Sequence, residues 1–541
     1  MSESEEDLRF VEEGNHLDHL CRLRFDKKST NARLTAIVCT IGHSSRTVDV
    51  IANMILNGMS IARMNFAHGS HDYHLETIGI IQKAAEMVSK ELGYEKTVAL
   101  MLDTKGSEIR TGLNEGGGDI DLRNGDIVRL STNKNLYDKC NKESIYVDYP
   151  DIIHLVKFGS RVLINDGQIS LFVKEVAIDC LICQVDVGGI LPSLRNVTVP
   201  GMKLNLPNLS EKDAYDISFA VENSIDIIVA SNVRSTETIS EIRSQLGHKS
   251  KHVKVVAKIE NLQAMELLSD LIQVSDGILL GRAGIGIELN PERLFLLQKA
   301  LVGQCNKAGK PVIIGANILD SMIHQQRPVL ADVFDLGNIV LDGADGIMIT
   351  HATGIGKHPI HTTKQAHKVC RDAENALWYH DILSDLMHRN PALVDAIHAI
   401  AVEAVNAAKK TAAAAIVVLT TSGKSAYLIS RYRPRCPIIA ITTCPRTSRQ
   451  ALLYRGVLPL LYPMKSDADW VTEIDSRVKY ALSVMKRNKM ADMGDAIVVV
   501  SNWRDGKGFT NNLRIVYAVF EEDPIECELK DELNKTETEN I

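Results

Sequence analysis

Long hydrophobic runs are missing from this sequence. No apolar stretch approaches the roughly 20 residues of a membrane-spanning helix, so no membrane partner is expected. The first ten residues, MSESEEDLRF, are acidic and lack the apolar core of a secretory leader. A cytoplasmic location is the resulting expectation. An excess of positive charge is missing too. The chain has 61 Lys and Arg against 68 Asp and Glu, a net charge of −7. That argues against a general nucleic-acid surface. Paired cysteine motifs are almost absent among the ten cysteines. Cys180 and Cys183 form the single C-x-x-C, and no second pair completes a zinc site. They lie in VAIDCLICQVDV, which reads as a strand carrying reduced structural thiols.

What is present is length and alternation. The 541 residues suit about three or four domains. Residues 1–33 are polar, with the amphipathic piece LDHLCRLRF, and read as an N-terminal helical arm. From Thr35 onward TAIVCTIG, SIARMNF and TVALMLDT are apolar strands separated by helical stretches. Such alternation means a parallel sheet with crossover helices. Over 106–207 short strands and turns at GGGD, RNGD, NDG and PG replace it, as in a β-rich insertion. Alternation resumes over 208–378. Together with 34–105, about eight strands result, the number of a (β/α)8 barrel. Residues 379–520 form a second α/β unit, and 521–541 read as an acidic, disordered tail.

Active sites of such barrels sit at the C-terminal strand ends. Three strands end in i, i+2 polar pairs, which point the same way. They are Arg63 and Asn65, Asp103 and Lys105, and Lys258 and Glu260. They could hold a phosphorylated anion and a metal, or close the barrel mouth as structural ion pairs. His351 and His358 lie in THATGIGKHP at the expected mouth. Lone loop histidines are more often solvated than metal-bound.

The blocks TAIVCTIGHSS, RMNFAHG, LDTKGSEIRTG, PGMKLNLPNLSEKD, KIEN and LDGAD closely resemble pyruvate kinase. So do SGKSAYLISRYRPRCPIIAIT and WRDGKGFTN. The resemblance runs from about Leu17 to Val519. It implies an N-terminal arm, a barrel, a β-rich lid, a C-terminal effector domain and a homotetramer or mixed tetramer. It also implies the glycolytic transfer of a phosphoryl group from phosphoenolpyruvate to ADP, giving pyruvate and ATP, with Mg2+ (or Mn2+) and K+. By resemblance Arg63 faces the transferring phosphate and Lys258 stabilises it and the enolate. Glu260 is a divalent-metal ligand, and Asn65, Asp103 and Thr104 are potassium ligands. His68, Tyr73 and Arg110 match nucleotide-side positions.

Departures from the family pattern cluster. The metal-binding aspartate of the family's ARGDLG loop is Gly284, in GRAGIG. The threonine implicated in proton handling is Ala316, and the fourth potassium ligand, a serine, is Ala67. A proline flanking the adenine is His43. RPVLAD and THATGIG also differ at the mouth. Phosphoryl transfer depends on positioning and charge neutralisation, so these changes point to weak or absent turnover.

In the C-terminal unit, Thr420, Thr421, Ser422, Gly423, Lys424 and Ser425 connect a strand to a helix. Helix N-termini bind phosphate, though TTSGKS lacks the upstream glycine of a P-loop, and a helix N-cap is the plainer reading. The resemblance implies a fructose 1,6-bisphosphate loop there, with Trp470 and Arg477 facing the second phosphate. Thr421 stands where responsive forms often carry lysine.

Overall fold

The computed structural model describes residues 15–26, 32–248, 250, 252–388, 395–463, 469–503 and 510–520. The expected tail over 521–541, the first 14 residues of the arm and residues 504–509 of the WRDGKGFTN block lie outside them. The chain divides into two compact units. The larger takes 35–88 and 98–369; the smaller takes 1–34, 89–97 and 370–541.

In the larger unit eight parallel strands close into a barrel in sequential order. They are β1 (Ala36–Thr40), β2 (Ile61–Asn65), β3 (Ala99–Asp103), β4 (Ile227–Ala230), β5 (Lys254–Ile259), β6 (Gly277–Gly281), β7 (Val312–Gly315) and β8 (Gly346–Ile349). Strands such as IIVA in β4 and GIMI in β8 are buried at every position. A parallel strand covered on both faces needs a continuous apolar run rather than an alternating one. Local signals start the helices between them. The Thr47 hydroxyl caps α1 (Val48–Leu56), and α2 spans His71–Leu92. Ser210 and Asp213 form a reciprocal capping box on α3 (Glu211–Glu222). Helix α4 (Arg282–Glu288) follows β6 directly.

Strand register sets the mouth. Thr40 pairs with Arg63 and Asn65 with Asp103, so the polar ends of β1, β2 and β3 lie side by side. Between β3 and α3 the chain forms a seven-stranded sheet, from Ile109–Arg110 to Asn196–Thr198. It has its own core, including Val128, Leu130, Val162 and Leu171. Cys180 and Cys183 are buried free thiols on its strand Cys180–Val187. The expected barrel with a β-rich insertion is therefore present.

In the smaller unit a five-stranded sheet comprises β9 (Ala415–Leu419), β10 (Ile438–Thr442), β11 (Val457–Leu461), β12 (Ala496–Asn502) and β13 (Thr510–Tyr517). Its order is β11-β10-β9-β12-β13, antiparallel only at β12–β13. Alternate residues feed two cores. Ile416, Val418 and Val498 enter one, while Val417, Ile439 and Val499 enter the other. Helices α5 (Lys424–Arg431), α6 (Pro445–Ala451) and α7 (Trp470–Arg487) accompany the sheet. The arm contributes a short helix, His16–Cys21, capped by Asn15. Its His19 ring lies 5.2 Å from that of Trp378.

Candidate active site

Arg63, Asp103 and Lys258 meet at the C-terminal mouth of the barrel. Arg63 Nε donates to Asp103 Oδ2 at 2.7 Å, and its Nη1 to Thr40 Oγ1 at 2.9 Å. Ser231, just past β4, donates its hydroxyl to Asp103 Oδ1 at 2.6 Å. Lys258 Nζ stands 3.4 Å from Asp103 Oδ2 and 3.0 Å from Glu260 Oε1. Two cations thus offset two carboxylates. Burial by itself would raise the Asp103 pKa, but Lys258, Arg63 and the Ser231 hydroxyl outweigh it and hold the carboxyl below its usual range. Burial would likewise lower Lys258. The Asp103 and Glu260 charges win, and its pKa is raised.

Glu260 lies against two glycines. A Cβ on Gly284 would stand 2.7 Å from the Glu260 carbonyl oxygen and 3.0 Å from its Cβ. A Cβ on Gly281 would stand 2.6 Å from Glu260 Cγ. Glu260 therefore occupies the space that a side chain at 284 would need. The Glu260 carboxylate is also engaged, with Lys258 on Oε1 and the Asn232 N–H on Oε2 at 3.1 Å. Among the described residues no group of three or more His, Cys, Asp or Glu side chains could hold a metal ion. Mg2+ wants near-octahedral oxygen ligation built on one or two free carboxylates. Glu260 would offer one such carboxylate, and it is paired with Lys258 in this structure. The oxygens matched to potassium are engaged as well. Asn65 Oδ1 accepts from Ala67 N–H at 3.2 Å, Thr104 Oγ1 donates to Val229 O, and Ala67 offers only a methyl group.

Arg282 ties α4 to the segment after β7. Its guanidinium pairs with both Asp335 oxygens at 2.8 Å and donates to the carbonyls of Ala316 and Asn317. Ala316, Asn317 and Leu319 have φ of 66°, 54° and 54°, an unfavourable region for residues with a Cβ. Arg282 holds two of the three carbonyls in that conformation. Asp320 follows, and burial raises its pKa.

His68 lies within electrostatic reach of Arg110 and Arg63. Burial lowers the His68 pKa, and Arg110, Arg63 and Arg195 push the same way. Arg110 donates to Glu108 at 2.8 Å and to Leu194 O at 2.9 Å. The Tyr73 ring lies 4.0 Å beneath the Arg46 guanidinium. Sequence reasoning missed exposed Arg195 and half-buried Asp320. Neither belongs to an i, i+2 pair, so no spacing signal marked them.

In the smaller unit the Thr420–Ser425 turn is built around Gly423. Its φ is 82°, and a Cβ would stand 2.3 Å from the Tyr427 ring. Its N–H donates to Thr420 Oγ1 at 3.0 Å. Thr421 O accepts from Thr447 Oγ1, and Ser425 bonds Thr510 at 2.7 Å. Lys424 opens α5, directly after Ser422 and Gly423. Trp470 Nε1 donates to Asn502 O. Arg477 pairs with Glu473 at 2.7 Å, its guanidinium 5.8 Å from the Trp470 ring.

These features define a (β/α)8-barrel protein with a charged cluster at the strand ends and a separate α/β unit. Residues 32–363 match the family model of the pyruvate kinase barrel domain, and 398–516 that of the pyruvate kinase alpha/beta domain. The chain is 42% identical over 503 residues to pyruvate kinase PKLR of Homo sapiens, covering 92% of this chain and 88% of the relative. It is 37% identical over 493 residues to the pyruvate kinase of Hypocrea jecorina, covering 90% and 91%. It is 36% identical over 505 residues to pyruvate kinase 1 of Trypanosoma brucei brucei, covering 93% and 99%. The chain belongs to the pyruvate kinase family.

Proposed function

We propose that this chain is a pyruvate kinase family protein in which phosphoryl transfer from phosphoenolpyruvate to ADP is weak or lost. Its role on this reading is that of a regulatory or structural subunit, in a homotetramer or a mixed tetramer with an active relative. The family usually uses Mg2+ and K+. The observation that carries the reading is the closure of Gly284 onto Glu260. Losing one of two ligand carboxylates weakens a divalent ion by at least ~1–3 kcal/mol, on the scale of a lost charged hydrogen bond. Here the room for that carboxylate is taken as well. Ala316 compounds the loss, since a methyl group cannot orient a proton-relay water, and general acid–base help is worth about 10²–10⁴-fold.

The remaining residues suit anion binding. Arg63 and Lys258 would face a phosphate, with His68, Arg110 and Arg195 on the nucleotide side. The Thr420–Ser425 turn, with Trp470 and Arg477, would take fructose 1,6-bisphosphate. A cytoplasmic location accords with the lack of any helix long and apolar enough to cross a membrane among the described residues.

The test is pyruvate formation from phosphoenolpyruvate and ADP on pure protein, with K+ and either Mg2+ or Mn2+. Turnover below about 0.1 s⁻¹ is expected. A rate in the ordinary kinase range of about 1–100 s⁻¹ sinks the reading.

A further inference from the structure

Arg477 of α7 sits between two aromatic rings. Its guanidinium lies 5.2 Å from the ring of Tyr462, just past β11, and 5.8 Å from that of Trp470. Trp470 is itself fixed, its Nε1–H donating at 2.8 Å to Asn502 O at the end of β12. Asn502 pairs in register with Thr510, whose hydroxyl meets Ser425 Oγ at 2.7 Å. Trp470 and the Thr420–Ser425 turn are thus tied through Asn502 and Thr510. Both follow the carboxyl ends of parallel strands, where open α/β sheets take their ligands.

Glu473, one turn before Arg477, holds the guanidinium by one edge. Its Oε1 accepts from Arg477 Nε at 2.7 Å. Neither Nη nitrogen of Arg477 donates to a protein group among the described residues. The Glu473 side chain is only 8% exposed, and its Oε2 is buried with no hydrogen-bond partner among them. A buried carboxylate with one oxygen unmet is a poor stabilising element. The same pair on an exposed helix face would avoid that cost. The arrangement suits another task. An arginine held at Nε and flanked by two rings has surrendered much of its rotamer freedom before a ligand arrives. Its two Nη groups remain as a planar fork that matches two phosphate oxygens.

We infer that Glu473 is a positioning residue, which aims the Arg477 fork at the second phosphate of a sugar bisphosphate and so makes the site prefer two phosphates to one. This rests on the effector reading above. Glu473 itself does not touch the ligand and acts through Arg477.

Calorimetry on the full-length protein compares fructose 1,6-bisphosphate with fructose 6-phosphate, which lacks one of the two phosphates. The wild type should bind the bisphosphate more tightly. In Glu473→Met the bisphosphate should bind about tenfold more weakly, the scale of one freed side chain. Fructose 6-phosphate should bind as before. Glu473→Gln still offers Nε an acceptor and should keep the preference. A Glu473→Met protein with the wild-type preference overturns the inference. So does an equal weakening of both ligands, which would make Glu473 a structural residue only. If Glu473→Met fails to fold, Arg477→Lys decides, since it keeps the charge but has no Nε for Glu473 to hold. An undiminished preference there also overturns the inference. A wild type that binds neither ligand refutes the effector reading itself, and the inference falls with it.

Discussion

Arg63, Asp103 and Lys258 cannot be changed singly without leaving a charge stranded. Asp103 is fully buried, and Arg63 is nearly so. Arg63→Met should therefore cost about 3–5 kcal/mol, as breaking one side of a buried ion pair does. Urea denaturation checks this. The pH dependence follows from the two shifted groups. The Asp103 pKa is depressed in the fold, so its contribution is complete above the ordinary value of 3.8 and is lost as pH falls through the folded value. The Lys258 pKa is raised, so its contribution is complete below 10.5 and is lost as pH climbs through the folded value. In urea midpoints measured from pH 2 to 12, Asp103→Asn should flatten part of the acid limb. Gly284→Asp alone should not restore turnover, because its Cβ must displace the Glu260 backbone. It should cost about 1–3 kcal/mol, the range for overpacking, read as a lower urea midpoint. A stable, active Gly284→Asp protein would show that α4 yields easily. The missing carboxylate at 284 was legible in the sequence, since a motif shows a changed letter. The filled space was not, because it depends on how closely α4 approaches β5.

Among elements, α4 and the segment after β7 behave as one piece through Arg282. Arg282→Lys keeps the charge but cannot reproduce the paired contacts to Asp335 and the two carbonyls. Hydrogen exchange over 316–322 should then rise, while the barrel strands stay protected. The turn before α5 depends on Gly423 in a similar way. Gly423→Ala meets both a positive φ and the Tyr427 ring. It should lower stability by about 1–2 kcal/mol and weaken fructose 1,6-bisphosphate binding in calorimetry. An unchanged binding isotherm would remove this turn from the effector site. The sequence marked both elements for different reasons. TTSGKS announced a strand-to-helix turn by composition. GANILDSM gave no hint of three left-handed residues, because none of Ala316, Asn317 and Leu319 is glycine.

For the whole molecule, the barrel was readable because strands covered on both faces must be continuously apolar. The insertion was readable because that texture stops after Asp103. The grouping of residues 89–97 with the C-terminal sheet was not readable, since reading along a chain assigns neighbours by order. If the protein acts as a subunit of mixed tetramers, native mass spectrometry after refolding with an active pyruvate kinase should show heteromers. Only homomers would leave a self-contained assembly as the surviving form.

The C-terminal sheet has two unlike edges. Just past β11 the Tyr462 N–H turns inward to Thr442 O. By alternation Pro459, three residues earlier, faces the open side with no N–H to offer. That edge is blunted against strand addition. The other edge, β13, has no proline and exposes Ile515 and Tyr517. Any growth of this sheet, by orderly pairing with another chain or by aggregation of damaged protein, is therefore confined to one direction.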